Sequence, residues 1–222
     1  VRFLDAGHIL GSSILEIKVR EGARERRLVF SGDLGQPARP VVHDPDPAPP
    51  ADVLVIEATY GNRLHKSMEA TVAELVAAVR ETVVSGRGNL VVPAFALGRT
   101  QDLLVLLDGL CGRGELPSLN VFVDSPLARE ATSVTLLHQE SLDEAARGFA
   151  YRLRAGRLPY SLRFPASPEE SMALARIRSG AILIAASGMC DAGRVRHHLR
   201  ANLPREDCAV LFTGFQAGGT LG

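Results

Sequence analysis

Residues 13–20 (SILEIKVR) mix apolar and polar positions with the two-residue period of a half-buried strand. Residues 26–31 (RRLVFS) read as a second strand. The polar EGARE between them holds one glycine, so the pair forms an antiparallel hairpin. An apolar strand and a Gly-His turn come before it in VRFLDAGHILG. Residues 36–51 hold six prolines, which deny that stretch both a helix and a central strand. Residues 53–57 (VLVIE) are a short apolar strand with an acid at its end. After Tyr60-Gly61 the period changes. Apolar residues recur at helical spacing over 68–84 until Ser85-Gly86 breaks the pattern. A buried strand over 89–92 is capped by Pro93, and an apolar helix over 100–110 ends near Gly112. Residues 120–123 are a strand, and Asp124-Ser125-Pro126 opens a helix with proline at a favourable first position. A helix over 167–178 begins SPEE, an N-cap followed by proline and first-turn acids. A strand over 181–186, a helix over 193–201 and a strand over 208–213 complete the pattern.

Strands alternating with helices predict an α/β fold with a parallel sheet covered by helices on both faces. In such sheets ligands sit beyond the carboxyl ends of the strands. Those ends carry Glu57, Pro93, Asp124-Ser125, Ser187-Gly188 and Gly214. The chain thus divides into hairpin and loops over 1–62 and an alternating unit over 63–222. It starts on Val and stops just after an apolar strand, which reads as an internal piece of a longer protein.

Composition narrows the function classes. With 46% hydrophobic and 23% charged residues the composition is that of an ordinary globular chain, which makes disorder and coiled coil poor readings. Lys+Arg and Asp+Glu both number 25, so no chain-wide basic field grips nucleic acid, although a local basic groove remains open. The 3 cysteines, Cys111, Cys190 and Cys208, follow no disulfide or zinc-ribbon pattern and fit thiols in a reducing cytoplasm. No apolar run reaches the ~18 residues of a membrane span. With no Trp and 5% aromatics, base stacking should not dominate any single-strand binding.

Three residues share a placement. His8, Asp33 and Glu57 each stand where a strand meets a glycine-containing turn. Singly they read as a structural histidine, a turn acid bonding its own backbone and a cap. Together they could point to one rim, where imidazole and carboxylate suit zinc, manganese or iron. Arg63, His65 and Arg99 are candidates for phosphate, Arg99 at a helix start that favours anions. Ser187-Gly188 with Arg194 could cradle a phosphate or be a tight turn. His197 and His198 are adjacent on one helix, face different directions and do not chelate together. No G-x-S-x-G elbow, P-loop or G-x-G-x-x-G is present, so serine hydrolase, P-loop NTPase and Rossmann dehydrogenase lack support.

Read in order, DAGHILGSS, VFSGDLGQPARP, EATYGNRLH, VPAFALGRTQ, VDSPLA, EES, ASGMCDAGRVRHHL and GFQAGGTLG resemble the metallo-β-lactamase/β-CASP RNA-processing nuclease family over essentially the whole chain. The resemblance implies part of an αββα sandwich over residues 1–62, followed by an inserted β-CASP domain over 63–222, incomplete at its C-terminal end. It implies a zinc-dependent ribonuclease with a two-metal, bridging-hydroxide mechanism. His8 and Asp33 match metal ligands, Asp33 the one that bridges two zinc ions. Glu57 matches an acid supporting an active-site histidine. His65, Arg99, Ser125 and Ser187 are candidates for the RNA backbone. RNA is the implied partner, with no membrane and with self-association into a homodimer left open. The family's His-x-His-x-Asp-His, Ser-Ala-His and His-Gly-Glu signatures are absent from these residues, so the segment should not hold a stable dinuclear site by itself and is expected to be inactive alone. Ala192 and Gly218 stand where relatives often have glycine and an acid. The alternatives are a DNA-directed nuclease of the same family and an inactive scaffold or RNA-binding subunit.

Overall fold

A computed structural model describes residues 1–222. The first sheet has β1 (Arg2–Asp5), β2 (Ser13–Glu21), β3 (Arg24–Phe30) and β4 (Val53–Val55) in that spatial order. β2 and β3 are antiparallel, closed by Gly22-Ala23 between the paired Glu21 and Arg24. Gly22 has φ +61°, the left-handed conformation a two-residue hairpin turn needs. β4 runs parallel to β3. It is three residues long and exposed, and Glu57 lies beyond its end rather than within it.

The buried side of this sheet is a small cluster of Leu4, Ala6, Ile14 and Val29. Glu16 is buried on the same strand as Ile14 and pairs with Arg27 at 3.0 Å. The alternating apolar residues Leu15, Ile17 and Val19 lie on the other face. There the cross-strand row Phe3, Leu15, Phe30 and Val55 stays half-exposed or exposed.

The prolines keep residues 36–51 out of regular structure, as expected. They also carry the chain across to the second unit. Val41 enters the main core, Val42 bridges Leu142, and Val41 N donates to Asp143 Oδ2 at 3.1 Å. Asp143 N returns a bond to the Val41 carbonyl at 3.0 Å.

The second unit contains α1 (Met68–Val79), which continues as a wide π-type turn over Arg80–Ser85, then β5 (Leu90–Pro93), α2 (Arg99–Gly112) and β6 (Asn120–Val123). There follow α3 (Pro126–Leu137), α4 (Glu144–Arg154), β7 (Ser161–Arg163), α5 (Pro168–Leu174), β8 (Ala181–Ala185), α6 (Val195–Asn202) and β9 (Ala209–Val210). The sheet is wholly parallel in the order β7-β6-β8-β5-β9. Period-two alternation splits its side chains between two cores. Leu90, Val92, Val121, Ile182 and Ile184 pack beneath α1–α4, whereas Val91, Leu183 and Ala185 meet Leu174 of α5 and Val195 and Leu199 of α6. No helix is long and apolar enough to cross a membrane.

The helix starts follow their caps. Ser67, Ser125, Asp143 and Ser167 each accept a bond from a backbone N–H in the first turn. Two elements were not foreseen from the pattern, α4 and β7. α4 is amphipathic, burying Ala146, Phe149 and Ala150, and Arg152 on it pairs with the buried Asp108 of α2. The last strand is shorter than residues 208–213, and α5 ends before 178.

At the carboxyl end of β6, Asp124 is only 1% exposed. It accepts from Ser171 Oγ at 2.6 Å and Arg194 Nη1 at 2.7 Å, and it lies 2.7 Å from His198 Nε2. It thereby ties β6 to α5 and α6. Arg194 is committed to this pair, so the reading of Arg194 as part of a phosphate cradle is corrected. His198 is buried and His197 exposed, as their adjacency on a helix requires.

Candidate active-site cavity

Three turns from the first sheet meet at one cavity of about 570 Å³, lined by His8, Asp33 and Glu57 among others. The His8 turn is tight. Ser12 Oγ accepts from both His8 N (3.1 Å) and Ile9 N (3.2 Å). The Asp33 turn is bonded to it by Gly35 N to the Ala6 carbonyl at 2.7 Å. The two backbones come so close that a Cβ on Gly35 would stand 1.7 Å from the Gly7 carbonyl oxygen. Gly35→Ala must therefore separate the two turns. We expect it to lower the melting temperature by several degrees, because the clash is with backbone atoms that cannot turn aside; a thermal melt of the variant beside the wild type checks this.

Glu57 joins the third turn to the second. Its Oε1 accepts from Leu34 N at 2.9 Å, and its own N–H donates to Ser31 Oγ at 3.1 Å. The Leu34 backbone bond is the largest cause holding its carboxyl below the ordinary glutamate value. The Thr59 hydroxyl adds to it, against the effect of burial. Glu57 is thus a carboxylate that fixes the backbone next to Asp33.

The second unit supplies the opposite wall. Gly98, with φ +80°, precedes α2, and a Cβ there would meet Ile9 Cγ2 at 2.5 Å. The His8 turn is therefore seated directly on the start of α2. Arg99 lines the cavity and pairs with Asp102 at 3.0 Å. Burial pushes the Asp102 carboxyl up to about 6, against the pull of Arg99 and Arg39. Arg39 reaches the same cavity from the proline-rich segment; burial lowers its pKa, and the like charge of Arg99 adds to this. His65 also lines it, its pKa lowered by burial and then by Arg39, Arg99 and Arg63. Two guanidiniums, Arg39 and Arg99, thus form a cationic wall with Asp102 beside it, facing a rim that bears the acids Asp33 and Glu57.

At the mouth, the Tyr60 and His65 rings lie 3.8 Å apart. The Arg63 guanidinium lies 4.5 Å from the Tyr60 centroid and 4.6 Å from that of Phe215. This stack joins the turn after β4 to the last residues of the chain.

The cavity brings together His8, Asp33, Glu57, His65 and Arg99 as the sequence suggested. It does not bring in Ser125 or Ser187. Ser125 is buried as the N-cap of α3, where its Oγ accepts from Ala128 N at 3.2 Å. Ser187 is turned into the tight turn where its N–H donates to the Ala192 carbonyl, while Met189 reaches the cavity instead. Sequence reasoning missed Arg39, Tyr60, Phe95 and Phe215. Arg39 carried a signal, an arginine held between Pro37 and Pro40.

His8 and Asp33 offer the imidazole and carboxylate donors that zinc takes. Nowhere does the chain gather three or more His, Cys, Asp or Glu into a group that could hold a metal ion. The donor types fit, but two residues fall short of the four ligands of a zinc sphere.

A parallel α/β sheet with a cationic, acid-rimmed cavity beyond its strand ends defines a ligand-binding α/β domain. The model of the Beta-Casp domain matches residues 100–222, and the chain belongs to that family, the metallo-β-lactamase/β-CASP RNA-processing nucleases. It is 34% identical over 220 residues to "Ribonuclease TTHA0252" of Thermus thermophilus, covering 99% of this chain and 49% of that protein. It is 29% identical over 229 residues to "Transcription termination factor FttA" of Methanosarcina mazei, covering 99% of this chain and 34% of that one. Similarity extends to "Endoribonuclease YSH1" of Eremothecium gossypii, 26% identical over 97% of this chain and 28% of that protein. The chain spans half or less of the length of these relatives.

Proposed function

We propose that this chain forms part of a metal-dependent ribonuclease that hydrolyses RNA phosphodiester bonds in the cavity between its two sheets. The observation that carries this is the meeting of His8, Asp33 and Glu57 with Arg39, His65 and Arg99 around one cavity. Relatives named as a ribonuclease and an endoribonuclease support the same reading. Residues 1–62 are proposed as part of the αββα sandwich and 63–222 as the β-CASP domain. The half-exposed apolar face of the first sheet is assigned to packing against the remainder of that sandwich.

His8 and Asp33 would contribute to a two-zinc site, with the other ligands supplied by segments of the full-length protein outside these residues. When bound, the zinc ions would supply Lewis-acid neutralisation of the phosphoryl oxygens and water activated near neutral pH. The chain's own residues do the rest. Arg99 and His65 from the second unit and Arg39 from the proline-rich segment hold the RNA phosphates, so the strand lies across the rim that bears Asp33. Glu57 keeps the Leu34 backbone, and hence Asp33, in place.

The test uses the full-length protein with labelled RNA and DNA of one sequence, before and after chelation. Cleavage of RNA that is lost on chelation and restored by zinc supports the proposal. Preference for DNA would assign the other nuclease branch. A second reading is a non-catalytic binding subunit, against which the retention of His8, Asp33 and Glu57 at one cavity stands. RNA binding without cleavage by metal-loaded protein would establish it.

Glu57 separates positioning from chemistry. In Glu57→Gln the amide oxygen can still accept from Leu34 N, so we expect metal content to stay, while loss of the negative charge that would support an active-site histidine lowers cleavage by about 10–100-fold. In Glu57→Ala that bond is gone and metal is expected to fall too. Equal metal loss in both variants would contradict this role.

A further inference from the structure

The cavity holds an aromatic ring that the nuclease reading does not use. Phe95 follows β5, lines the cavity and is 47% exposed. Its backbone is fixed, since its carbonyl accepts from Thr100 Oγ1 at 2.8 Å. Its ring is supported by Gly188, where a Cβ would stand 3.0 Å from Cδ2 and 3.1 Å from Cε2. Gly188 is itself anchored, because its carbonyl accepts from Gln216 Nε2 at 3.0 Å. A ring held this way loses little further freedom when a ligand covers it. Leu97 and Leu127 are also exposed on the cavity lining, so an apolar wall stands beside the Arg39 and Arg99 guanidiniums.

A bare phosphate would explain the cations and leave the ring idle. An apolar peptide would explain the ring and leave the cations unanswered. A nucleotide satisfies both, with its phosphate on the guanidiniums and its base on the ring.

We infer that Phe95 is a stacking platform for one nucleobase of the RNA strand in this cavity. This rests on the nuclease reading, and it gives a role to the ring that reading leaves unused.

The test is a cycle between ring and base in the full-length, metal-loaded protein. Phe95→Leu keeps an apolar side chain and removes the ring. Stacking is worth ~1–3 kcal/mol per base, so KM for single-stranded RNA should rise roughly tenfold with kcat little changed. One abasic nucleotide, scanned along the substrate, should cost the wild type a similar factor at one position and cost Phe95→Leu nothing more there. Phe95→Tyr should retain wild-type KM. Gly188→Ala, which displaces the ring without removing it, should behave as Phe95→Leu does. A strand carrying 2-aminopurine at that position should be quenched by wild type and not by Phe95→Leu, a readout independent of cleavage. Unchanged KM in Phe95→Leu, or an abasic penalty equal in both proteins, overturns the platform and leaves the nuclease reading standing. Quenching without cleavage keeps the platform and removes the nuclease. Neither quenching nor cleavage by wild type overturns both.

Discussion

Asp33→Ala in the full-length protein is expected to lower RNA cleavage by at least about a thousandfold, the rate equivalent of several kcal/mol of lost charge stabilisation. The expectation follows from where Asp33 stands. It occupies a turn held by Gly35 N on the Ala6 carbonyl and by Glu57 on Leu34 N, yet its own side chain belongs to an exposed residue that lines the cavity. No hydrogen bond within the chain uses its carboxylate as a structural acceptor, so its removal should leave the fold intact, within about 0.5 kcal/mol. The check is paired: single-turnover cleavage for chemistry and a thermal melt for stability. Wild-type cleavage with undiminished zinc would remove Asp33 from the site. A large fall in melting temperature would make it a structural residue.

Asp124→Ala should do the opposite, and act on stability first. Asp124 is buried at the end of β6 with Ser171, Arg194 and His198 against it. Removing the carboxylate leaves the Arg194 charge and the His198 ring without their partner, a loss of about 3–5 kcal/mol. For a chain of this size that lowers the melting temperature by roughly 10 °C.

The pH dependence has a definite sign. Burial alone would raise the Asp124 carboxyl, but the bonds from His198, Ser171 and Arg194 prevail and hold it at about 2, below its ordinary 3.8. Its folded pKa lies below the unfolded one, so the stabilisation, about 2 kcal/mol, is complete above pH 3.8 and is lost as pH falls through about 2. The stability gap between wild type and Asp124→Ala should therefore narrow over that window in denaturant titrations. A constant gap would mean that the carboxylate is not what the variant lost.

Much of the second unit was legible because its signals are local. Apolar runs at 89–92, 120–123 and 181–186 and the caps at Ser125 and Ser167 each act within a few residues. The misses have physical reasons. α4 was hidden because its apolar stripe is narrow, Ala146, Phe149 and Ala150 among polar and charged residues. Ser125 looked like a ligand residue because a strand end and a helix start produce the same Asp-Ser-Pro whether the hydroxyl faces a cavity or caps the helix. The cap won, since an unsatisfied N–H at a buried helix start is costly. Ser187 and Arg194 were likewise taken by a turn and by Asp124.

For this protein the sequence alone determined the α/β class, the hairpin before it, the family resemblance and the candidacy of His8, Asp33, Glu57, His65 and Arg99. Each depends on residue types at short spacings. The tertiary structure decided what depends on contacts between distant segments. It brought Arg39 out of a proline-rich loop to face Arg99, set Glu57 on the backbone beside Asp33, and seated the His8 turn on Gly98. It also left the alternating apolar face of β2 half-exposed while burying Ile14 and Glu16 on the other. An alternating strand declares which face is apolar, but what covers that face is fixed only by the elements that pack there.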